Sequence, residues 1–382
     1  MRILALSSPG GGICGIGDYN ANLSAALRAQ GHRVDILKLV RRGDRLPMVE
    51  EFRQRIVNYD AVIFQFDGSL YGDTPFAMSH NVTNLVRAMG DKPGIAILHE
   101  GPIRLAKTGK RRRKRIKFWL MRRTMVAALN RLMIFVHAKD TRSEWIGKGI
   151  ASGQIKTITF PLQLSKSLVE PRPLGENDTV ELLMFGFVAA HKGYDVVLNA
   201  LRVLPQNYCL TIAGDRAPGY WGEPTVNTIH GFIQTGIWNS DWRQTLLERP
   251  HSDADRQSLE RRIKFTGHVP PDRIAEIMGR ADIVLLPYHR SYGSAALADA
   301  IEFARPTIAA ALPAFCEVAA QVNCFRLVRP DAPFELAHAI RDLAENLNER
   351  RRMFVNACDF AREHTFAILA QDCISILDRV KT

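Results

Sequence analysis

In this 382-residue chain the residues best suited to chemistry begin between Ala281 and Pro306, in the stretch ADIVLLPYHRSYGSAALADAIEFARP. Ile283 to Leu286 reads as a short apolar strand that Pro287 breaks. A small polar loop, Tyr292-Gly293-Ser294-Ala295, then leads into a helix with Leu297, Ile301 and Ala304 on one face. A loop entering a helix offers unpaired N–H groups and the positive end of the helix dipole, which suit a phosphate or diphosphate. An ordinary strand-turn-helix unit would show the same pattern. Asp299 favours a nucleotide, because its carboxylate can accept hydrogen bonds from two ribose hydroxyls while the loop holds the phosphates. Another charged candidate lies upstream, in VELLMFGFVAAHKGYDVVLNAL, where a strand ends at Phe185-Gly186-Phe187 and Lys192-Gly193 opens a helix. A cation at a helix N-terminus opposes the dipole, so Lys192 calls for an anion beside it.

The elements needed to position these groups recur along the whole chain. Strand-like runs at Ile3 to Ser7, Val34 to Leu39, Ala61 to Phe66, Ile95 to His99, Leu132 to His137 and Ile155 to Phe160 alternate with helical patterns. A second series follows from Val180, through Tyr208 to Ala213, Ile263 to His268, Ile283 to Leu286, Thr307 to Ala310 and Phe325 to Val328. Such alternation predicts an α/β fold of two doubly wound parallel sheets. Ligands of such sheets bind beyond the carboxyl ends of the strands, where Gln65, Asp67, His99, Glu100 and His137 fall. A strand-end histidine is more often a structural hydrogen-bonder, and His137 is read as that. Between the first strand and first helix lie Pro9-Gly-Gly-Gly12 and Gly15-Ile16-Gly17, a glycine-rich turn that lets backbone approach a ligand, without the dinucleotide spacing.

Taken together in order, these segments resemble the retaining GT-B glycosyltransferases of the family 4-like group (glycosyl transferases group 1). The resemblance rests on ADIVLLPY with its loop and Asp299, on GIGDYNANLSAALRAQGHRV, on AILHE, on FGxxxxxKG, on the strand ending AGD, and on IKFTGH. It implies a GT-B fold, two Rossmann-like domains facing across a cleft, and a UDP- or GDP-sugar donor. By the same resemblance Lys192 and His99 are the catalytic candidates, with His99 near the reacting carbon of the sugar. Gly15, Ile16 and Gly17 match the loop facing sugar and acceptor, and Gly186, Lys192, Gly267, His268, Tyr292, Gly293, Ser294, Ala295 and Asp299 match the donor site. Gly267 and His268 would line the base through their main chain. This chain departs from the family pattern twice: Ser291 stands where a first acidic residue is usual, and Phe187 where an arginine commonly helps hold the phosphates. Arg216 and Arg290 are alternative cations.

The implied domains are 1–165, N-terminal and acceptor-binding, and 178–362, nucleotide-sugar-binding, joined by the polar, proline-bearing segment near 161–178. The last helix, within 363–382, is expected to cross back to the first domain. The segment Arg216 to Arg262, with Trp221, Trp238 and Trp242, is longer than the fold needs. In it Asp253 and Asp255 are read as a helix start, and neither metal nor cofactor is expected.

Composition sets the outer limits. Apolar content of 46% and charged content of 24% describe a globular chain. Six cysteines without metal-like spacing suit a reducing compartment. MRILALSS is too short an apolar run for a signal peptide, and a cytoplasmic protein is expected. The net charge of +12 is concentrated: residues 104–123 hold eleven Lys or Arg and no acid, leaving the rest of the chain close to neutral. From about Arg111 this segment reads as a helix with Phe118, Met121, Met125 and Leu129 on one side. Lys110, Arg111, Arg112, Arg113, Lys114, Arg115 and Arg122, with Trp119 among them, form a patch suited to an anionic membrane surface or a lipid-linked acceptor. A solvated basic face is the plainer alternative. Nucleic acid is disfavoured, since no series of stacking aromatics accompanies the charge. A retaining hexosyltransferase acting at the inner face of a membrane is the expected function. A GT-B nucleotide-sugar epimerase, or a catalytically decayed, membrane-docked sugar-nucleotide scaffold, remains the alternative.

Overall fold

A computed structural model of the chain describes residues 1–10, 14–39, 46–102, 112–215, 253–291 and 294–379. It divides into two units, Met1–Pro161 with His364–Thr382, and Leu162–Glu363.

The first unit holds six parallel strands: β1 Arg2–Ser7, β2 Arg33–Lys38, β3 Ala61–Phe66, β4 Gly94–Leu98, β5 Met133–Val136 and β6 Ile155–Thr157. Their order is β2-β1-β3-β4-β5-β6. Strands β3 and β4 are buried at every position, which explains why they read as unbroken apolar runs rather than alternating ones. On one face Leu4, Val62, Phe64 and Ala96 pack with Phe52, Met78 and Trp145. On the other, Ile3, Ile63 and Ile97 pack with Tyr19, Leu23 and Leu27 of helix Gly15–Ala29 and with Phe366, Leu369, Cys373 and Leu377 of helix Phe366–Arg379. The first unit's core is therefore completed by residues from the far end of the chain. Phe160, which precedes the outward crossing, and Phe366, which follows the return, both meet the Tyr19 ring in T-shaped contacts, at 5.4 and 5.2 Å between centroids.

The second unit is continuous in sequence. Its strands are β7 Val180–Phe185, β8 Tyr208–Ala213, β9 Ile263–Gly267, β10 Ile283–Leu286, β11 Thr307–Ala310 and β12 Arg326–Val328, all parallel, in the order β12-β11-β10-β7-β8-β9. The order reverses between β7 and β10, so loops leaving these two neighbours go to opposite faces and open a crevice at their carboxyl ends. Helix entries follow local chemistry: Pro271, Pro313 and Pro333 open helices where a missing N–H costs nothing. The proline-bearing stretch from Leu162 belongs to this unit and is fastened to it. Arg172 donates to both carboxylate oxygens of the buried Asp282, at 3.1 and 2.9 Å, and its carbonyl accepts from Arg350 at 2.9 Å.

Candidate functional site

Three glycine-containing turns meet at the carboxyl ends of β7, β8 and β9. Gly186 takes φ +94°, and its N–H donates to Ala213 O at 2.9 Å. Gly214 bridges Gly267, itself at φ +67°. After β7 the chain makes a tight turn, Ala190–Lys192, and only then enters helix Tyr194–Val203. Lys192 therefore precedes the helix rather than opening it. Its Nζ curls back to donate to Phe185 O at 3.2 Å and lies 5.5 Å from the centre of the Tyr288 ring. Gly193 caps the helix at φ +72°, and any side chain there would meet Pro287 O at 2.0 Å. That contact presses the turn carrying Lys192 against the loop after β10, and His289 N donates to His191 O across the same seam at 2.8 Å. The ammonium thus stands over the reversal point of the sheet.

The β10 loop is pinned by a group that sequence reasoning missed. The His289 side chain is 4% exposed and lies between two carboxylates, with Nδ1 2.5 Å from Asp331 Oδ1 and Nε2 2.9 Å from Asp195 Oδ1. Burial alone would push its pKa down, but the hydrogen bonds and charges of Asp195 and Asp331 outweigh burial and raise it above the ordinary histidine value. Both ring nitrogens face carboxylate oxygens, and the side chain ties the β10 loop to the first turn of helix Tyr194–Val203 and to the turn at Asp331. Its neighbour His191 is pushed the other way, to about 4, by burial and then by the charges of Lys192, Arg290 and His289.

Past the loop, Ser294 caps helix Ala295–Glu302, its Oγ accepting from Leu297 N at 3.1 Å. Ala295 is exposed and Asp299 is half-buried on this helix. Tyr292 and Gly293 lie outside the described residues, as does Arg216. Glu302, one turn beyond Asp299, is pushed up to about 8 by burial and by the Asp299 charge. Its Oε1 accepts from Gln163 N at 2.7 Å, and its carbonyl accepts from Ser165 N at 2.8 Å. Gly267 and the exposed His268 end β9 beside Gly214.

In the first unit Gly15 and Ile16 form the opening turn of a helix rather than a loop, and Gly17 is buried in it. A side chain at Gly17 would strike Pro9 O at 2.1 Å, so glycine is required for the strand-to-helix turn to close. His99 follows β4. Its Nε2 lies 2.8 Å from Gln65 Oε1, and burial lowers its pKa to about 4. The Tyr19 ring meets it edge-on at 4.9 Å. His137, read as structural, is 5.8 Å from His99 between ring centres.

The basic segment lies on the first unit. Lys110 and Arg111 lie outside the described residues, whereas Arg112, Arg113, Lys114 and Arg115 begin helix Arg112–Leu129. Met125 and Leu129 are buried, as the helical period requires, while Trp119 is 44% exposed and Arg123 covers its ring at 4.9 Å. Arg122 is half-buried. Among the described residues no helix is long and apolar enough to cross a membrane.

Residues 169–359 match the family model for glycosyl transferases group 1, and the chain belongs to that family. None of the curated proteins compared matches the chain. Among solved structures the chain is similar to the sucrose-phosphate synthase tll1590 from Thermosynechococcus elongatus, at TM-score 0.73 and 14% identity over 100% of this chain and 99% of that one. It is also similar to Anabaena Alr3699/HepE in complex with UDP-glucose, at TM-score 0.69 and 17% identity, again over 100% and 99%. A third is WaaG, described as a glycosyltransferase involved in lipopolysaccharide biosynthesis, at TM-score 0.59 and 14% identity over 99% of each chain. The two six-stranded parallel sheets are those of the GT-B glycosyltransferase fold.

Proposed function

We propose that this protein is a retaining, metal-independent hexosyltransferase that takes its sugar from a UDP- or GDP-sugar bound to the second unit. The acceptor in this reading is a lipid-linked or polysaccharide-precursor glycan at the inner membrane surface. One observation carries the reading: Lys192 Nζ, three glycine turns and the Ser294-capped helix bearing Asp299 gather at the carboxyl ends of β7 to β10, where the strand order reverses. The binding of UDP-glucose by Alr3699/HepE supports the choice of donor.

The chemistry follows from the charges. As the sugar leaves, negative charge develops on the diphosphate, and a lysine already fixed by Phe185 O and the Tyr288 ring stabilises it without reorganising. The N–H groups at the start of helix Ala295–Glu302 add partial positive charge, and Asp299 receives the ribose hydroxyls. With the departing phosphate oxygen accepting the acceptor's proton, no side-chain base is needed. His99, neutral by virtue of its burial, serves to orient the sugar through hydrogen bonds. Phe187 is half-buried where the family pattern places a second cation, and the exposed Arg290 lies two residues past Tyr288 in the β10 loop.

Incubation with a panel of UDP- and GDP-sugars should raise the melting temperature for at least one of them, since a ligand binding only the folded state stabilises it. No shift with any would contradict the reading. With the stabilising donor and a lipid extract, Lys192→Ala should lower turnover by about 10²-fold or more. Near-normal turnover would remove Lys192 from the mechanism. An isomerised sugar nucleotide formed without extract would instead identify an epimerase.

A further inference from the structure

Beneath His99 lies a chain of side-chain amides for which sheet packing offers no reason. Gln65, in β3, is 0% exposed, and Asn20, in helix Gly15–Ala29, is 1% exposed. Gln65 Nε2 donates to Asn20 Oδ1 at 3.2 Å, and Gln65 Oε1 faces His99 Nε2 at 2.8 Å. Every neighbour of Gln65 in β3 is buried, and apolar residues occupy the rest of the strand. Burying two primary amides costs free energy unless each polar atom finds a partner. Gln65 spends the two ends of its amide on Asn20 and on one imidazole.

The Gln65 backbone is held as firmly as its side chain. Its carbonyl accepts from the hydroxyl of the fully buried Tyr71 at 2.9 Å, and Asn81 Nδ2 in turn donates to Tyr71 O at 2.8 Å. Tyr19, adjacent to Asn20, braces the His99 ring edge-on. An amide cannot present oxygen and nitrogen to the same partner. In the orientation observed, the Gln65 nitrogen donates to Asn20 and its oxygen faces His99, an arrangement that pairs with a proton on the imidazole nitrogen facing it. Among the described residues His99 Nδ1 has no protein partner.

We propose that Asn20 and Gln65 are positioning residues that hold His99 in one tautomer, with the proton on Nε2 and Nδ1 left as an acceptor for a hydroxyl of the bound sugar. The last clause rests on the glycosyltransferase reading; the tautomer does not. An acceptor at this position selects a hydroxyl and rejects a group that brings only lone pairs, so the relay contributes to specificity for the sugar as well as to its orientation. Asn20 and Gln65 act through His99 and touch no substrate.

Long-range 15N–1H correlation spectra of the full chain labelled with 15N-histidine test the tautomer directly, with His99 assigned by the signals lost in His99→Gln. At neutral pH the expected pattern is a protonated Nε2 and an unprotonated Nδ1. An Nδ1–H tautomer, or an imidazolium, would overturn the proposal. Gln65→Leu should produce a mixture of tautomers, and so should Asn20→Ala, which leaves the Gln65 amide free to turn even if the leucine variant does not fold. Asn20→Asp, which still accepts from Gln65, should restore the single form. Tautomers unchanged in Asn20→Ala would show that the relay does not set them. In transfer assays with the donor that stabilises the protein, Asn20→Ala should lower kcat by about 10-fold while UDP affinity stays unchanged. Equal loss of UDP affinity would mean general destabilisation and count against a positioning role. Should the unmodified protein transfer no sugar, the functional reading fails, and the spectra alone decide the relay.

Discussion

Rising pH acts on two buried groups of the second unit in the same direction. Glu302 has its pKa raised in the folded protein from 4.5 to about 8. A group whose folded pKa lies above its unfolded one binds more protons when folded. Its contribution is complete below the unfolded value and is lost as pH climbs toward the folded one. His289 is raised above 6.5 by Asp195 and Asp331, so its contribution fades over the upper part of the same range. The melting temperature of the second unit should therefore fall steadily from about pH 5 to pH 8 and beyond. Glu302→Gln still accepts from Gln163 N–H without needing a proton, and should flatten the slope below pH 7 while leaving the His289 part above it. An unchanged slope would show that Glu302 is not the titrating group. None of this was legible in the sequence, because the partners of His289 are 94 and 42 residues away and no local pattern joins them. The helix that carries Asp299 was legible, since Leu297 and Ile301 give it the apolar period. The place of Lys192 beside Gly193 at a helix start was legible, whereas the short turn Ala190–Lys192 that carries it, directly before the Gly193 cap, was not.

Among the described residues the inner strands were readable for a physical reason: parallel strands covered on both faces are short apolar runs, such as AVIFQF and IVLL, bounded by turn residues. Four strands, Ala61–Phe66, Tyr208–Ala213, Ile283–Leu286 and Thr307–Ala310, have the ends read from the sequence, while others shift by up to three residues, as at Ile155–Thr157, where burial continues at Ile158 and the apolar pattern overruns the strand. Helix Arg112–Leu129 is the element whose sequence and surroundings disagree most. Its inner side packs through Met125 and Leu129 against helix Pro75–Ala88, yet Trp119 and Leu120 are exposed, at 44% and 52%. An exposed tryptophan beside a dense run of cations suits an anionic bilayer, each cation near the surface contributing about 1 kcal/mol. Replacing Arg111, Arg112, Arg113, Lys114 and Arg115 with glutamine should weaken binding to phosphatidylglycerol vesicles by at least about 100-fold in sedimentation assays. Phosphatidylcholine vesicles should bind poorly with either protein. Equal binding of both proteins to anionic vesicles would return the segment to a solvated surface.

Taken whole, the chain leaves its first unit at Pro161 and re-enters it at His364. The closing helix is a structural part of that unit: Leu377 is 0% exposed and sits in the same cluster as Leu23, Leu27 and Ile3. Leu377→Ala should destabilise the first unit by about 2–5 kcal/mol, read in calorimetry as a lower melting temperature for that unit with the second unit's transition unmoved. A shift confined to the second unit's transition would place the helix elsewhere.

This arrangement has a consequence for the order of assembly on the ribosome. Residues 162–363 form a contiguous unit that can close as soon as it emerges. The sheet made before it must wait, its Tyr19, Leu23 and Leu27 face uncovered, until Phe366 to Arg379 has been translated some two hundred residues later. The part synthesised first is therefore the part that matures last, and in the interval its apolar face is open to chaperones.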